Sequence, residues 1–249
     1  MDTETADLHW QIRQMFHYLR PYMVVDKRQV RIGSVADGGY IMLDDFAELK
    51  IAYSLGIGVD VNWDLAIAER GLTLQQYDHT VNGPPISHPN FQFNKLGIGP
   101  TDCEEFISLS TALKRNGHQA RDDLVLKIDI EGSEWATFDD LSGEIFQQFQ
   151  QIVIEYHGFL RANEPEWLVV AQRVLSRLYR THAVHHVHAN NWGEFRVIAN
   201  VAVPDVLEVS YVRRDRVRLA PSSAIYPTAL DAPCHPDRPD IFLGNFVFI

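Results

Sequence analysis

The segment "LVLKIDIEGSEW", residues 124–135, places three carboxylates directly after a run of apolar residues: Asp129, Glu131 and Glu134. Ionised carboxylates are costly to bury, so their position at the end of a strand that reads as buried indicates a site. In open α/β sheets, ligands bind just beyond the carboxyl ends of the strands. We therefore expect Asp129 to face a pocket, with Glu131 on the same side. Glu134 falls in the first turn of the next helix, where the dipole stabilises negative charge, and we predict a structural role for it.

A glycine loop precedes this segment in "YSLGIGVD". Gly56 and Gly58 follow a predicted strand and precede a predicted helix, where missing side chains let a ligand approach the backbone. Asp78 ends the next predicted strand, where a carboxylate can accept both hydroxyls of a ribose. Together these residues predict a nucleoside-containing ligand, although a tight turn and a surface aspartate would give the same pattern. The third glycine of the dinucleotide fingerprint is missing, which weakens the case for NAD.

The fifth predicted strand, "QIVIEYHG", ends in residues that could move a proton. His157 lies at the same sheet edge as Asp129, and its reference pKa of ~6.5 suits proton removal from a hydroxyl near neutrality. Glu155 has the same strand parity and could orient it. In a second interpretation, Asp129, Glu155 and His157, with His188 from "VHHVHANNWG", bind a divalent ion such as Mg, Mn, Fe or Zn. We favour the metal-free interpretation, and a hydrogen-bonded structural role for His157 is a third alternative.

Strands and helices alternate over the middle of the chain, which favours a parallel, doubly wound sheet with a reversed last strand. The five predicted strands are "IAYSLGIG", "TLQQYDHT", "FQFNKLGIG", "DLVLKIDI" and "QIVIEYHG", and two more surround an Asn-Asn-Trp-Gly turn. The predicted helices between them are "NWDLAIAERG", "CEEFISLSTALKRNG", "TFDDLSGEIFQQF" and "EPEWLVVAQRVLSRLYR".

The two ends of the chain differ from this alternation. Residues 1–30 are predicted to form a helical cap whose apolar face has helical spacing. That face consists of Leu8, Ile12, Met15, Phe16 and Leu19. Residues 31–249 are predicted to form a single domain. Near its end, residues 221–239 hold five of the twelve prolines and predict an irregular loop, and "IFLGNFVFI" predicts a final buried strand.

The composition suits one α/β domain, because 46% of the 249 residues are hydrophobic. A net charge of -11 opposes binding to nucleic acid or anionic membranes. Cys103 and Cys234 offer neither a disulfide framework nor a CxxC metal motif. The polar start and the lack of a long apolar stretch lead us to expect a cytoplasmic protein with a small-molecule partner. Whether the protein forms a homo-oligomer is left open.

Three motifs together resemble the FkbM-type S-adenosylmethionine-dependent methyltransferases and their methyltransferase-like relatives: "LKIDIEGSEW", "YSLGIG" and "RIGSVADGGYIML". "IVIEYHG" and "HANNWG" also match, so the resemblance covers roughly residues 30–205. It implies a Rossmann-like methyltransferase fold, with a mostly parallel seven-stranded sheet, a reversed last strand and helices on both faces. It also implies S-adenosylmethionine as the methyl donor and an oxygen acceptor on a sugar or another small molecule.

The resemblance also bears on the residues that bind the donor. It implies that Asp129 and Glu131 belong to the donor site at the strand ends. The family often has an acidic residue two places before the first glycine, where this chain has Ser54. Contact to the amino group of the donor must then come from elsewhere, and Asp37 with the backbone around Gly38 is our candidate. An NAD-dependent oxidoreductase and a non-catalytic nucleoside-binding domain are the alternative functions.

Overall fold

The computed structural model describes residues 3–248, and over this range it contains six α-helices and fifteen β-strands. The helices are α1 (Thr3–His17), α2 (Asn62–Ala68), α3 (Leu109–Arg115), α4 (Glu134–Asp140), α5 (Gly143–Phe146) and α6 (Pro165–Thr181). The strands are β1 (Tyr22–Val24), β2 (Gln29–Gly33), β3 (Gly39–Leu43), β4 (Ile51–Leu55), β5 (Thr73–Tyr77), β6 (Phe91–Asn94), β7 (Gly97–Ile98), β8 (Phe106–Ile107), β9 (Leu124–Ile128), β10 (Phe149–Tyr156), β11 (His182–Ala189), β12 (Phe195–Ile198), β13 (Val201–Pro204), β14 (Leu207–Arg213) and β15 (Leu219–Pro221).

A central sheet of seven strands has the order β11-β14-β10-β9-β4-β5-β6. The pairs from β10 to β6 are all parallel, whereas β14 runs antiparallel to both of its neighbours. β14 is the last strand of this sheet in the chain, so the prediction of a mostly parallel sheet with a reversed last strand is confirmed. This is a Rossmann-like α/β fold, with the mostly parallel seven-stranded sheet and the reversed strand that the resemblance implies.

Alternating side chains of the central strands enter two cores, because successive residues of a strand point to opposite faces. In β9, Leu124, Leu126 and Ile128 belong to the larger core, which also holds residues of α1, α3, α4 and α6. Val125 belongs to the smaller core with residues of α2 and of the β2–β3 hairpin. Helices therefore cover both faces of the sheet, and the carboxyl ends of the parallel strands stay open at one edge.

The N-terminal segment is part of this packing. Ile12, Met15, Phe16 and Leu19 are fully buried in the larger core and Leu8 is partly buried against it, which confirms the predicted apolar face, although Leu19 lies just beyond the end of α1. The same segment also contains β1, which pairs with β15 near the other end of the chain. The predicted helical cap thus includes a strand as well as a helix.

The predicted final strand is wrong, because no strand is assigned from 240 to 248. Gly244 and Phe246 have positive φ angles of 66° and 49°, which interrupt an extended conformation. Only an isolated bridge joins Gly244 to Tyr226. Instead, Phe246 and Phe248 pack their rings against Phe16 of α1, with centroids 5.6 and 5.1 Å away. The segment therefore buries its aromatic side chains without joining the sheet.

Three further predicted elements are divided in the structure. The third predicted strand forms β6 and the short β7, and the predicted helix after it begins with β8. The predicted helix from 137 to 149 is split into α4 and α5 at Leu141, whose backbone is extended. The predicted hairpin around the Asn-Asn-Trp-Gly turn is wrong, because β11 before the turn pairs with β14 and β12 after it pairs with β13. Among residues 3–248, no helix has the length and apolar character that a bilayer crossing needs.

Candidate active site

A cavity of about 630 Å³ opens at the carboxyl ends of β4, β5 and β9. Its volume is within the roughly 300–1,000 Å³ typical of small-molecule sites. All seven residues predicted to bind the cofactor line it: Asp37, Gly38, Gly56, Gly58, Asp78, Asp129 and Glu131. The sheet thus brings the glycine loop after β4 and the acidic residues after β5 and β9 into one cavity, at the position where such sheets bind ligands.

Gly56 lets the loop after β4 pass close to the end of β9. Its φ is +76°, and an added Cβ would lie 1.7 Å from the carbonyl oxygen of Asp129. Only a residue without a side chain fits this approach. Gly58 also has a positive φ, of +51°, but an added Cβ would meet nothing within 4 Å. The first glycine is therefore required by packing, and the second only by backbone conformation.

Asp78 follows β5 and fixes the glycine loop. One of its oxygens, Oδ2, accepts hydrogen bonds from the backbone N–H groups of Ile57 (3.0 Å) and Gly58 (2.9 Å). The other, Oδ1, accepts from the N–H and the hydroxyl of Thr80 at 2.7 and 2.6 Å. Burial alone would raise the pKa of Asp78, but these four hydrogen bonds outweigh it and hold the pKa below its usual value. Asp78 is thus an ionised anchor at the cavity wall.

Lys127 is a cavity residue that the sequence interpretation missed, although it is the one charged residue inside the apolar run of β9. Its ammonium group donates to the carbonyl oxygen of Gly56 at 2.8 Å and lies 3.9 Å from Asp129 Oδ2. Burial raises the pKa of Asp129, while Lys127 and His157 oppose that change. Asp129 Oδ1 is buried and has no hydrogen-bond partner within the described part of the chain, whereas the side chain as a whole is 27% exposed and lines the cavity.

The turn after β9 is held by Glu134. Glu131 has a φ of +57°, which is unusual for a residue with a side chain, and Gly132 follows with +97°. Glu134 Oε1 accepts hydrogen bonds from the N–H groups of Ile130 (3.0 Å) and Gly132 (3.2 Å). Glu134 lies in the first turn of α4, as the sequence predicts, and its side chain is fully buried. Its carboxylate stabilises the turn that directs Glu131 to the cavity.

His157 lies behind this turn among three carboxylates. Its Nδ1 is 3.3 Å from Glu134, and its Nε2 is 3.3 Å from Glu155 and 3.6 Å from Glu131. Burial alone would lower the pKa of His157, but the hydrogen bonds to Glu134 and Glu155 raise it to about 11. The expectation of a pKa near 6.5 is therefore wrong, and His157 is a cation at neutral pH. A protonated imidazole cannot accept a proton, and His157 is not among the residues that line the cavity.

Glu155 lies beside His157 in a buried acidic environment. It accepts a hydrogen bond from Asn190 Nδ2 at 3.1 Å. Burial and the neighbouring carboxylates of Asp129 and Glu208 raise its pKa to about 8, despite the hydrogen bond from His157. The protonation of Glu155 is thus sensitive to its neighbours near neutral pH.

Asp37 lies where the β2–β3 hairpin meets the cavity. It accepts from the N–H of Gly38 at 3.0 Å, and burial and Glu208 raise its pKa. The predicted contact to the amino group of the donor fits this position and stays a prediction.

The predicted four-residue metal site does not form. Asp129 and His157 group with Glu131, and their candidate ligand atoms lie within 4.8 Å of one another. Glu155 groups instead with Asp37 and Glu208. His188 is directed elsewhere, because its two ring nitrogens contact Glu208 and Asp240. These groupings depend on how three strands align, which sequence spacing does not reveal.

The model of a methyltransferase domain family matches residues 90–213, slightly less than half of the chain. The match includes β9 with Asp129 and β10 with Glu155, and it lacks the glycine loop and Asp78. No curated protein matches the chain.

Several solved structures also match. One is the crystal structure of a Listeria monocytogenes protein described as a proposed S-adenosylmethionine-dependent methyltransferase. It is 13% identical, the match covers 70% of this chain and 94% of that chain, and the TM-score is 0.42. At this distance the match adds nothing to the assignment of the site.

Proposed function

We propose that this protein is an S-adenosylmethionine-dependent methyltransferase that methylates a hydroxyl of a sugar or secondary metabolite. The observation that carries the proposal is the single cavity in which the glycine loop, Asp78 and Asp129 meet. The sheet topology and the match to a methyltransferase domain model support the same reaction class. FkbM-type enzymes remain the group that the motifs resemble.

The charge of the cavity favours this donor over NAD. Five carboxylates line it: Asp37, Asp60, Asp78, Asp129 and Glu131. Among the described residues, Lys127 is the one Lys or Arg that lines the cavity. Its ammonium group already donates a hydrogen bond to the carbonyl oxygen of Gly56. A sulfonium cation is attracted to such a wall, whereas a pyrophosphate is repelled by it. The missing third glycine of the dinucleotide fingerprint also argues against NAD.

For the donor, we assign the adenosine to the loop that contains Gly56 and Gly58. The ribose hydroxyls then face Asp78. Both oxygens of Asp78 already accept two hydrogen bonds each, so ribose binding must share or replace some of them. Asp37 and the backbone of Gly38 lie at the same cavity and are our candidates for the amino group of the donor.

For the transfer, the protein mainly has to align the acceptor hydroxyl with the methyl carbon and the sulfur. An alcohol gains from a proton acceptor, and the partly exposed carboxylate of Asp129 is our candidate, because it lines the cavity. His157 and Glu155 lie behind Asp129, and we assign them the role of setting its charge and position.

The reaction needs no metal in this assignment. Both cysteines are free, which fits the reducing conditions of a cytoplasmic protein.

Calorimetry with S-adenosylmethionine, S-adenosylhomocysteine and NAD tests the donor. We expect both sulfur compounds to bind with one site per chain and NAD to bind far more weakly. Tight NAD binding without a response to the other two would establish the oxidoreductase alternative.

Transfer of a labelled methyl group to a pool of sugars and small hydroxylated metabolites tests the reaction. Donor binding with no transfer to any acceptor would instead identify a non-catalytic nucleoside-binding domain.

A further inference from the structure

A row of ionisable side chains crosses three neighbouring strands outside the cavity lining. Glu155 of β10 pairs directly with Glu208 of β14, and Glu208 pairs directly with His188 of β11. All three side chains are at least 90% buried. Like charges directly opposite each other destabilise a sheet, so a buried row with two adjacent carboxylates requires compensation by positive charge.

The donor atoms at one end of this row are of three chemical kinds. His188 Nδ1 lies 2.7 Å from Glu208 Oε2, and Cys234 Sγ lies 3.4 Å from Glu208 Oε1. Cys234 Sγ and His188 Nδ1 are 4.0 Å apart. One atom from each residue thus lies within 4.8 Å of the other two. An imidazole, a carboxylate and a thiol at such spacing match the ligands that zinc takes in proteins.

Asp240 supplies the second feature of a metal-binding histidine. Its carboxylate accepts from His188 Nε2, with distances of 3.0 and 3.2 Å to its two oxygens. A histidine that ligates through one nitrogen almost always donates its other N–H to a carboxylate, a carbonyl or a water. The contact to Asp240 therefore fixes the ring so that Nδ1 faces Glu208 and Cys234.

Tyr40 lies in β3, which packs against β10 and β14, and it carries a further unpaired polar group on this side of the sheet. It is 98% buried, and its hydroxyl has no hydrogen-bond partner within the described part of the chain. Burial raises the pKa of this hydroxyl, and the carboxylates of Asp129, Glu155, Glu208 and Asp37 raise it further, with Asp129 the largest of the four. A buried hydroxyl left unpaired beside carboxylates is costly unless a further polar group or ion completes the arrangement.

We propose that His188, Glu208 and Cys234 bind a divalent transition-metal ion, with zinc the best match to these donors, and that Asp240 orients His188. The ion binds the lone pair of His188 Nδ1 and the thiolate of Cys234, and the protons displaced from the ligands leave to water. Three protein ligands leave a tetrahedral ion one further position for water or an oxygen group. None of these ligands lines the donor cavity, so the proposal does not depend on methyl transfer.

Cobalt binding to the metal-free, full-length protein tests the site. We expect one Co²⁺ per chain with a thiolate-to-cobalt charge-transfer band, displaced by Zn²⁺ and not by Mg²⁺. Cys234→Ser should abolish the band and weaken Zn²⁺ binding at least about 10-fold. Cys103→Ser is the matched control, because Cys103 is the other free cysteine and is exposed, and it should behave like the wild type. Asp240→Asn should keep the band and weaken binding by about 10–100-fold.

Two results would overturn the proposal: no stoichiometric Co²⁺ or Zn²⁺ binding by the wild type, or a band that survives in Cys234→Ser. If Cys234→Ser does not fold, X-ray absorption of the zinc-loaded wild type decides the question. One sulfur neighbour at about 2.3 Å supports the site. Coordination by oxygen and nitrogen alone contradicts it and assigns the ion to another group, such as Asp129, Glu131 and His157.

Discussion

The site has two parts whose carboxylates are stabilised in different ways. We call them the donor half, with Gly56, Gly58 and Asp78, and the inner half, with Asp129, Glu155 and His157. In the donor half, Asp78 has four hydrogen bonds, three of them from backbone N–H groups, and these hold its pKa below its usual value. In the inner half, Asp129 and Glu155 have raised pKa values, and Asp129 Oδ1 has no partner among the described residues. The donor half is complete without a ligand, whereas the inner half has more negative charge than its surroundings compensate.

This difference suggests separate roles for the two halves, one in rigid binding and the other in attracting a cation. A carboxylate whose lone pairs are filled by backbone groups is a rigid part of the binding wall. Carboxylates that are buried close together attract a cation, whether an imidazolium, a sulfonium or a metal ion. His157 supplies one such cation permanently. The sulfonium of the donor would supply a second one only while the donor is bound.

The largest expected effect concerns Gly56, where the two halves touch. We expect Gly56→Ala to destabilise the protein by about 4 kcal/mol or more, because the new Cβ collides with the backbone of Asp129. Gly58→Ala is the matched control, with a similar φ but free space, and should cost only about 1–2 kcal/mol. Urea unfolding measures both. Equal costs for the two variants would show that the halves are not in the close contact described.

The second effect concerns the carboxylate of Asp129 in the inner half. Asp129→Asn keeps the shape of the side chain and removes its charge, so we expect kcat to fall at least about 100-fold. The affinity for S-adenosylhomocysteine, which lacks the sulfonium, should change little. Steady-state kinetics and calorimetry separate the two effects. If kcat is unchanged, another group accepts the proton.

The third effect concerns the anchor of the donor half. Asp78→Ala removes the acceptor that fixes Ile57 and Gly58, and we expect donor affinity to fall by about 10–100-fold, or ~1.5–3 kcal/mol. At saturating donor, kcat should stay within a few-fold of the wild type, because the reacting atoms lie at Asp129. Calorimetry gives the affinity. An unchanged affinity would remove Asp78 from the donor site.

The smallest effect concerns the charge of His157. Its folded-state pKa of about 11 exceeds the unfolded value of 6.5, so its stabilisation is complete below pH 6.5 and is lost as pH rises toward 11. Glu131, Glu134, Glu155 and Asp129 are the charged groups around it. Between pH 7 and 9, the unfolding free energy of the wild type should fall by about 2 kcal/mol more than that of His157→Gln. Parallel pH profiles from urea unfolding would show that His157 is not held as a cation.

The sequence was sufficient for the sheet and for the donor half of the site. Alternating strands and helices leave few topologies for a sheet of this kind, and strand ends meet at one edge. Gly56 and Asp78 of the donor half each follow a strand that the pattern predicts, as does Asp129 of the inner half, so their common cavity follows from the topology. The final strand was predicted wrongly because a run of apolar residues can also pack its side chains without joining a sheet.

The inner half could not be predicted from spacing. The pKa of His157 depends on Glu134, which turns inward from α4, and on Glu155, which is adjacent on β10. The partners of His188 come from β14 and from the irregular segment near the C-terminus, 20 and 52 residues away in the chain. Side chains that meet through strand register and a long loop leave no local signature. Lys127 was the one missed residue that the sequence could have indicated, because its charge lies within an apolar strand.

The central claim is that one cavity holds S-adenosylmethionine between the glycine loop and Asp129. A crystal structure with S-adenosylhomocysteine tests it most directly. We predict that the ribose lies at Asp78, the adenosine lies against the loop that contains Gly56 and Gly58, and the sulfur points toward Asp129. An adenosine bound outside this cavity, or a sulfur directed away from Asp129, would contradict the account.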